Sequence, residues 1–161
     1  MDQPVHESYL KAKSLLETVT QWQLKGLLEY WLEIHPKTHL PARNDLDPIH
    51  IPKLLPYVTM TDVERNPFRL RMRLVGTAVN SAFGKDFTRK YFDEVFPNYE
   101  TAQGYKQRRE VADTGLPAHY FGQGALRYNL DFKSVEWVLL PFASDGETVD
   151  IIISTISYGR E

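Results

Sequence analysis

The eight residues FRLRMRLV (68–75) constrain the fold more than any other stretch of the chain. Phe68, Leu70, Met72 and Leu74 alternate without fault with Arg69, Arg71 and Arg73. A period of two sends successive side chains to opposite faces of an extended strand, whereas a helix would scatter the same residues around its circumference. The segment must therefore be a strand with one apolar and one charged face. YVTMTDVE (57–64) precedes it across Arg65-Asn66-Pro67, which reads as a hairpin. Near the C-terminus, KSVEWVLLPFA (133–143) and ETVDIIISTISY (147–158) flank Ser144-Asp145-Gly146, a strong turn and the sign of a second hairpin. LPAHYFGQGAL (116–126), with two glycines, is a weaker fifth strand.

Helical segments separate the two groups. GTAVNSAFG (76–84) reads as a short helix stopped by Gly84, KDFTRKYFDEVFP as one or two helical turns, and YETAQGYKQRREVADTG (99–115) as a longer helix closed by Gly115. Ahead of the strands, residues 8 to 34 carry Leu15, Val19, Trp22, Leu27, Trp31 and Ile34 at helical spacing. Unbroken, that helix would span about 40 Å at ~1.5 Å per residue, and Thr18, Thr20 and Gly26 are the places where it can break. Pro36 forbids continuation. Five of the ten prolines lie between 36 and 56. Asp47 before Pro48 has the form of an N-cap and first-turn proline, Pro52 opens a second turn, and Pro56 is expected to end it by pushing Leu55 out of helical geometry. The connection is rigid and aims the chain into the first strand. Antiparallel strands interrupted by one helical block make an α+β fold.

Composition narrows the function classes. A net charge of −2 speaks against electrostatically driven nucleic-acid binding. With no cysteine, disulfides, thiolate catalysis and cysteine adducts to chromophores are excluded. No apolar run approaches the ~20 residues of a membrane helix, and MDQPVHESYLKAK lacks the pattern of a secretory signal. The expectation is a cytoplasmic protein with neither nucleic-acid nor membrane partners.

LPARNDLDPIHIPKLLPYVTMTDVE (40–64), FRLRMRLVGTAVNSAFGKDFT (68–88) and VEWVLLPFASDGETVD (135–150), in that order, resemble a bacterial PAS-like family once catalogued as a domain of unknown function. The likeness covers roughly residues 27 to 158, so residues 1–26 read as an N-terminal helical extension and 27–161 as the PAS-like domain. It implies a five-stranded antiparallel sheet in the order 2-1-5-4-3 that encloses a cavity under a helical lid (76–115). It also implies sensing or docking without catalysis. The chain departs from the family at Met72, where an aromatic is common, and at Arg89, where a glycine is expected after Thr88, so a relative's ligand does not carry over. Within these 161 residues no kinase, cyclase or DNA-binding domain is expected from which an output could be read.

Several side chains are candidates for the site. Phe68, Leu70, Met72 and Leu74 with Val135, Trp137 and Leu139, joined by Phe83 and Tyr105 from the lid, either line a pocket for a small apolar ligand or fill a closed core. Arg69, Arg71 and Arg73 form an anion or partner patch, or pair with carboxylates such as Asp62 and Glu136. Arg89-Lys90, Arg108-Arg109, Asp93-Glu94 and Asp113 read as solvated surface. His35 and His39 are four apart, but Pro36 breaks the helix that would align them, and His50 and His119 lack companions at ligand spacing. No axial histidine for haem lies in 99–115, no nucleophile elbow or phosphate loop is present, and no cofactor is indicated. Tyr9, Leu15, Leu16, Val19 and Trp22 offer more apolar surface than a lone helix tolerates in water. They pack on the chain's own domain or on a second copy, giving a homodimer. The reading is a sensory domain for a small apolar ligand or a signalling protein partner, with a constitutive interaction module or a small pocket enzyme as alternatives.

Overall fold

A computed structural model describes residues 3–123 and 134–159. Its sheet consists of β1 (Val58–Glu64), β2 (Arg69–Val75), β3 (Ala118–Gln123), β4 (Ser134–Phe142) and β5 (Ile151–Gly159). Every neighbouring pair is antiparallel, in the order β2-β1-β5-β4-β3. The end of the third strand reading, 124–126, and Lys133 at the start of the fourth lie outside the described residues.

β5 sits in the middle, and its first seven residues are all buried. Such a run signals a strand covered on both faces, whereas alternation marks one exposed to water on one side. One cover is α2 (Trp22–Ile34), which buries Leu24, Leu27, Leu28 and Trp31. It is tied to the sheet by Trp31 Nε1 donating to the Pro141 carbonyl at 3.2 Å and by Thr155 Oγ1 donating to the Gln23 carbonyl at 3.1 Å. The other cover is the block of α3 (Thr77–Phe83), α4 (Phe92–Val95) and α5 (Gln103–Thr114). Gly84 and Gly115 close α3 and α5 in the left-handed conformation, as helix-stopping glycines do.

The leading helix is broken, as the threonines allow. α1 (Glu7–Leu15) ends before a turn, and α2 starts at Trp22, with Gly26 inside it. Thr18 Oγ1 bonds back to the Leu15 carbonyl at 2.9 Å, the side-chain competition that ends helices. The proline-rich connection is a chain of tight turns. Asp47 accepts from the Ile49 N–H with Pro48 in the first turn, as expected. Pro56 is a correction: it stands inside a 3-10 turn, Leu55–Tyr57, at a first-turn position where a missing N–H leaves no partner unsatisfied. The Leu55 and Pro56 carbonyls press directly on Gly76, where a Cβ would lie 2.3 Å from the Pro56 oxygen.

β2 departs from perfect alternation in one place. Met60 pairs with Leu74 but Thr61 pairs with Met72, so Arg73 is an extra residue. A bulge swaps the faces to which all later side chains of the strand point. Val75 consequently turns toward the lid, and Leu74, expected in the pocket, is 39% exposed on the opposite face.

Candidate functional site

Between the sheet and the helical block is a cavity of about 400 Å³. Its floor comes from one face of every strand: Thr59 and Thr61, Met72 and, past the bulge, Val75, then Tyr120, Val135 and Trp137, Ile156 and Tyr158. Its roof comes from Val79 and Phe83 of α3, Phe92 of α4, Phe96, the 97–102 loop, and Tyr105 and Arg108 of α5. The roof's aromatics support each other, with Phe83, Phe87, Phe92 and Phe96 in ring contacts of 5.3 to 5.9 Å. On the floor Tyr120 stacks on Trp137 at 4.4 Å, and Trp137 Nε1 donates to Gln107 Oε1 at 2.7 Å, which fixes the indole against α5.

Of the residues singled out from sequence, Met72, Phe83, Tyr105, Val135 and Trp137 line this space. Leu70 and Leu139 face the same side of the sheet but are buried in the packed core beyond the cavity. Phe68 packs against Tyr105, with Arg109 4.5 Å above its ring. Leu74 points away, because the bulge at Arg73 precedes it.

Arg108 reads as surface in the sequence, and the structure overturns that reading. It is 6% exposed and lines the cavity. Its Nη1 donates to the Gly104 carbonyl at 3.1 Å, its guanidinium lies 5.3 Å over the Phe92 ring, and its Nε has no partner. Among the described residues no carboxylate pairs with it. Burial lowers its pKa to about 10, so it stays charged at neutral pH. The helical phase held the signal: Tyr105, Arg108, Val111 and Ala112 are the buried residues of α5, and their spacing of three, six and seven marks one face. Further polar side chains meet the cavity, Thr59 and Tyr158 among them. Thr59 Oγ1 is buried without a partner, and burial pushes the Tyr158 hydroxyl's pKa up, with Arg108 opposing.

The arginine row of β2 is occupied by its own chain. Arg69 forks onto Asp93 with two bonds of 2.8 Å and lies 3.6 Å over Tyr91, Arg71 donates to the Arg89 carbonyl, and Arg73 meets Asp62 at 3.2 Å. Asp93 is therefore paired and not merely solvated, and it holds α4 to the strand. Glu136 does not join this row. It lies on β4, 2% exposed, on the face opposite the cavity. There it accepts from His119 Nε2 at 2.6 Å and from Thr20 N and Oγ1 at 3.2 and 2.6 Å.

At the N-terminus, Leu15 and Val19 are buried in the chain's own core, and Leu16 packs against it. Tyr9 meets His35 edge-on at 5.3 Å, and Trp22 stays 53% exposed beside Tyr57. His35 is reached through a relay unseen in the sequence. Lys37 N donates to its Nδ1, its Nε2–H donates to Ser8 Oγ at 2.8 Å, and Ser8 Oγ donates to His6 Nδ1 at 2.8 Å. Among the described residues no three His, Asp or Glu side chains gather in a metal-binding group. No helix among them is long and apolar enough to cross a membrane.

A five-stranded antiparallel sheet ordered 2-1-5-4-3, with a helical crossover roofing an internal cavity, defines an α+β domain of the PAS-like fold. A family model for the PAS domain matches residues 19–157, and the chain belongs to that family. The matched span begins in the turn before α2 and so takes in the helix on the sheet's other face. PAS domains are in general non-catalytic sensory or interaction modules. No curated protein matches the chain.

Proposed function

We propose that this PAS domain is a non-catalytic sensor that takes a small, largely apolar molecule into the cavity and reports its presence by rearranging the lid, residues 76–115. The observation that carries this reading is the cavity itself. Packed domains leave few voids larger than a water, whereas about 400 Å³ falls within the ~300–1,000 Å³ of small-molecule sites. A constitutive interaction module would need that space filled. Among the described residues the lining holds no Asp, Glu or His to act as a general base, which favours binding over turnover. A ligand that touches both floor and roof favours one lid arrangement, by no more than its difference in affinity for the two.

The test is native mass spectrometry of the purified chain beside its Val135→Phe variant, in which a ring fills part of the cavity. A small molecule carried by the wild type and lost from the folded variant is the expected result. Wild-type protein that carries nothing and takes up no member of a panel of small apolar compounds would refute the sensor.

A further inference from the structure

Accepting the cavity as a ligand site, we infer that its ligand is a monocarboxylic acid with an apolar body, whose carboxylate is received by Arg108. A guanidinium presents five N–H donors and no acceptor. Here it is buried, with one backbone carbonyl and one ring face as its partners and its Nε left unbonded. A buried cation without a counter-charge is among the most unfavourable arrangements in a protein interior. Among the described residues the chain supplies none, although Arg69 and Arg73 on β2 both have carboxylate partners. Arg108 lines the one wall contributed by α5, so an anion inside the cavity reaches it without any rearrangement of the sheet.

The kind of anion is set by charge and shape. The fork of a guanidinium matches the two oxygens of a carboxylate. One positive charge neutralises one negative charge. A phosphate monoester dianion would leave a net charge among Phe83, Phe92, Val135 and Ile156, where burial without compensation is heavily penalised. The Thr59 hydroxyl, also buried and unpartnered, is a second donor in the same lining. Most of the remaining wall is apolar and aromatic, with Thr61, Asn98, Thr101 and Gln103 as polar members, and it calls for a hydrocarbon or aryl body.

The experiment titrates the full chain by calorimetry with octanoate, decanoate and 3-phenylpropionate, and with 1-octanol, 1-decanol and 3-phenyl-1-propanol. These acids and alcohols match in body and differ in charge. The wild type is expected to bind the acids about 10- to 100-fold more tightly. Arg108→Gln should bring the ratio near one with little change for the alcohols, and Arg108→Lys should retain part of it. Equal binding of acids and alcohols by the wild type overturns the carboxylate inference and leaves the sensor reading standing. An acid preference that survives Arg108→Gln also overturns it. If no compound of either class binds, the carboxylate inference falls, and the sensor reading falls with it when native mass spectrometry also finds the wild type empty. Should Arg108→Gln not fold, the wild-type ratio together with Arg108→Lys still decides.

Discussion

At Arg89 the backbone stands at φ +71°, a conformation that costs an L side chain about 1–2 kcal/mol. The turn is held there because Arg89 N donates to the Met72 carbonyl at 2.6 Å and its own carbonyl accepts from Arg71 Nε. Neither bond uses the Arg89 side chain, so Arg89→Gly relieves the strain and gives back part of the gain in unfolded-chain entropy. Urea unfolding should show a net stabilisation of about 0.5–1 kcal/mol, and a loss would mean that the arginine side chain has its own role. His35 yields a prediction of opposite character. Burial lowers its pKa to about 4, with His6 and His39 adding to the effect, against 6.5 for an exposed imidazole. The unfolded chain therefore takes up a proton in a range where the folded chain does not. The stability contributed by neutral His35 is complete above about pH 6.5 and declines as pH falls toward 4. Between pH 8 and pH 5 the wild type should lose about 2 kcal/mol more than His35→Gln, as measured by urea unfolding at both values; parallel losses would discard the assignment. Arg108 shows the limit of reading residues in the linear chain. It stands beside Arg109 and shares its type, and only the phase of α5 separates the buried arginine from its neighbour.

Elements meet at contacts that local pattern does not specify. The turn between α1 and α2 is clamped to β4 by Glu136, which receives Thr20 twice and His119 once. Glu136→Ala removes the acceptor and leaves the His119 imidazole, itself half-buried, without its main partner. The expected cost is about 2 to 4 kcal/mol, with faster amide exchange confined to residues 16–21 and the adjoining ends of α1 and α2. Unchanged exchange there would show that the clamp is not what holds the turn. Gly76 is the corresponding point on the lid side. A methyl at this position meets the Pro56 and Leu55 carbonyls, which are backbone and cannot rotate away. Gly76→Ala should destabilise the domain by roughly 1–3 kcal/mol and displace α3 from the proline-rich turns, visible as lost protection in 77–83; wild-type stability would contradict the close approach. Such contacts mark the boundary of what a linear chain reveals. The strands, the two helix-ending glycines and the Asp47-Pro48 cap rest on interactions within a few residues and can be read directly. The bulge at Arg73 exists only in the pairing of β1 with β2, so seven perfectly alternating residues, 68–74, place Leu74 on the wrong face. Glu136 finds His119 and Thr20 across 17 and 116 positions, and no spacing rule connects them.

For the molecule as a whole, the two covers of the sheet differ in kind, and that difference bears on how a signal would leave. α2 has 13 residues, lies on β4 and β5, and buries Leu24, Leu27, Leu28 and Trp31 against a filled core. On the other face α3 has seven residues and α4 four. Helices so short are not stable on their own and depend on packing, yet part of what they face is the cavity. Val79, Phe83, Phe92 and Phe96 line that space, so part of their apolar surface has no protein neighbour. Local opening is easiest where packed contacts are fewest. Amide exchange should therefore be faster across 77–101 than across β4, β5 and α2 in the ligand-free chain. Occupation of the cavity should slow exchange chiefly in 77–101 and at the start of α5, where Tyr105 and Arg108 enter the lining. The β4–β5 pair would change little: although Val135, Trp137, Ile156 and Tyr158 face the cavity, its strands stay paired in the middle of the sheet whether or not the cavity is filled. Uniform protection on both faces before ligand, or protection gained equally throughout the sheet, would mean that the roof is not the moving part and that the cavity does not communicate through it.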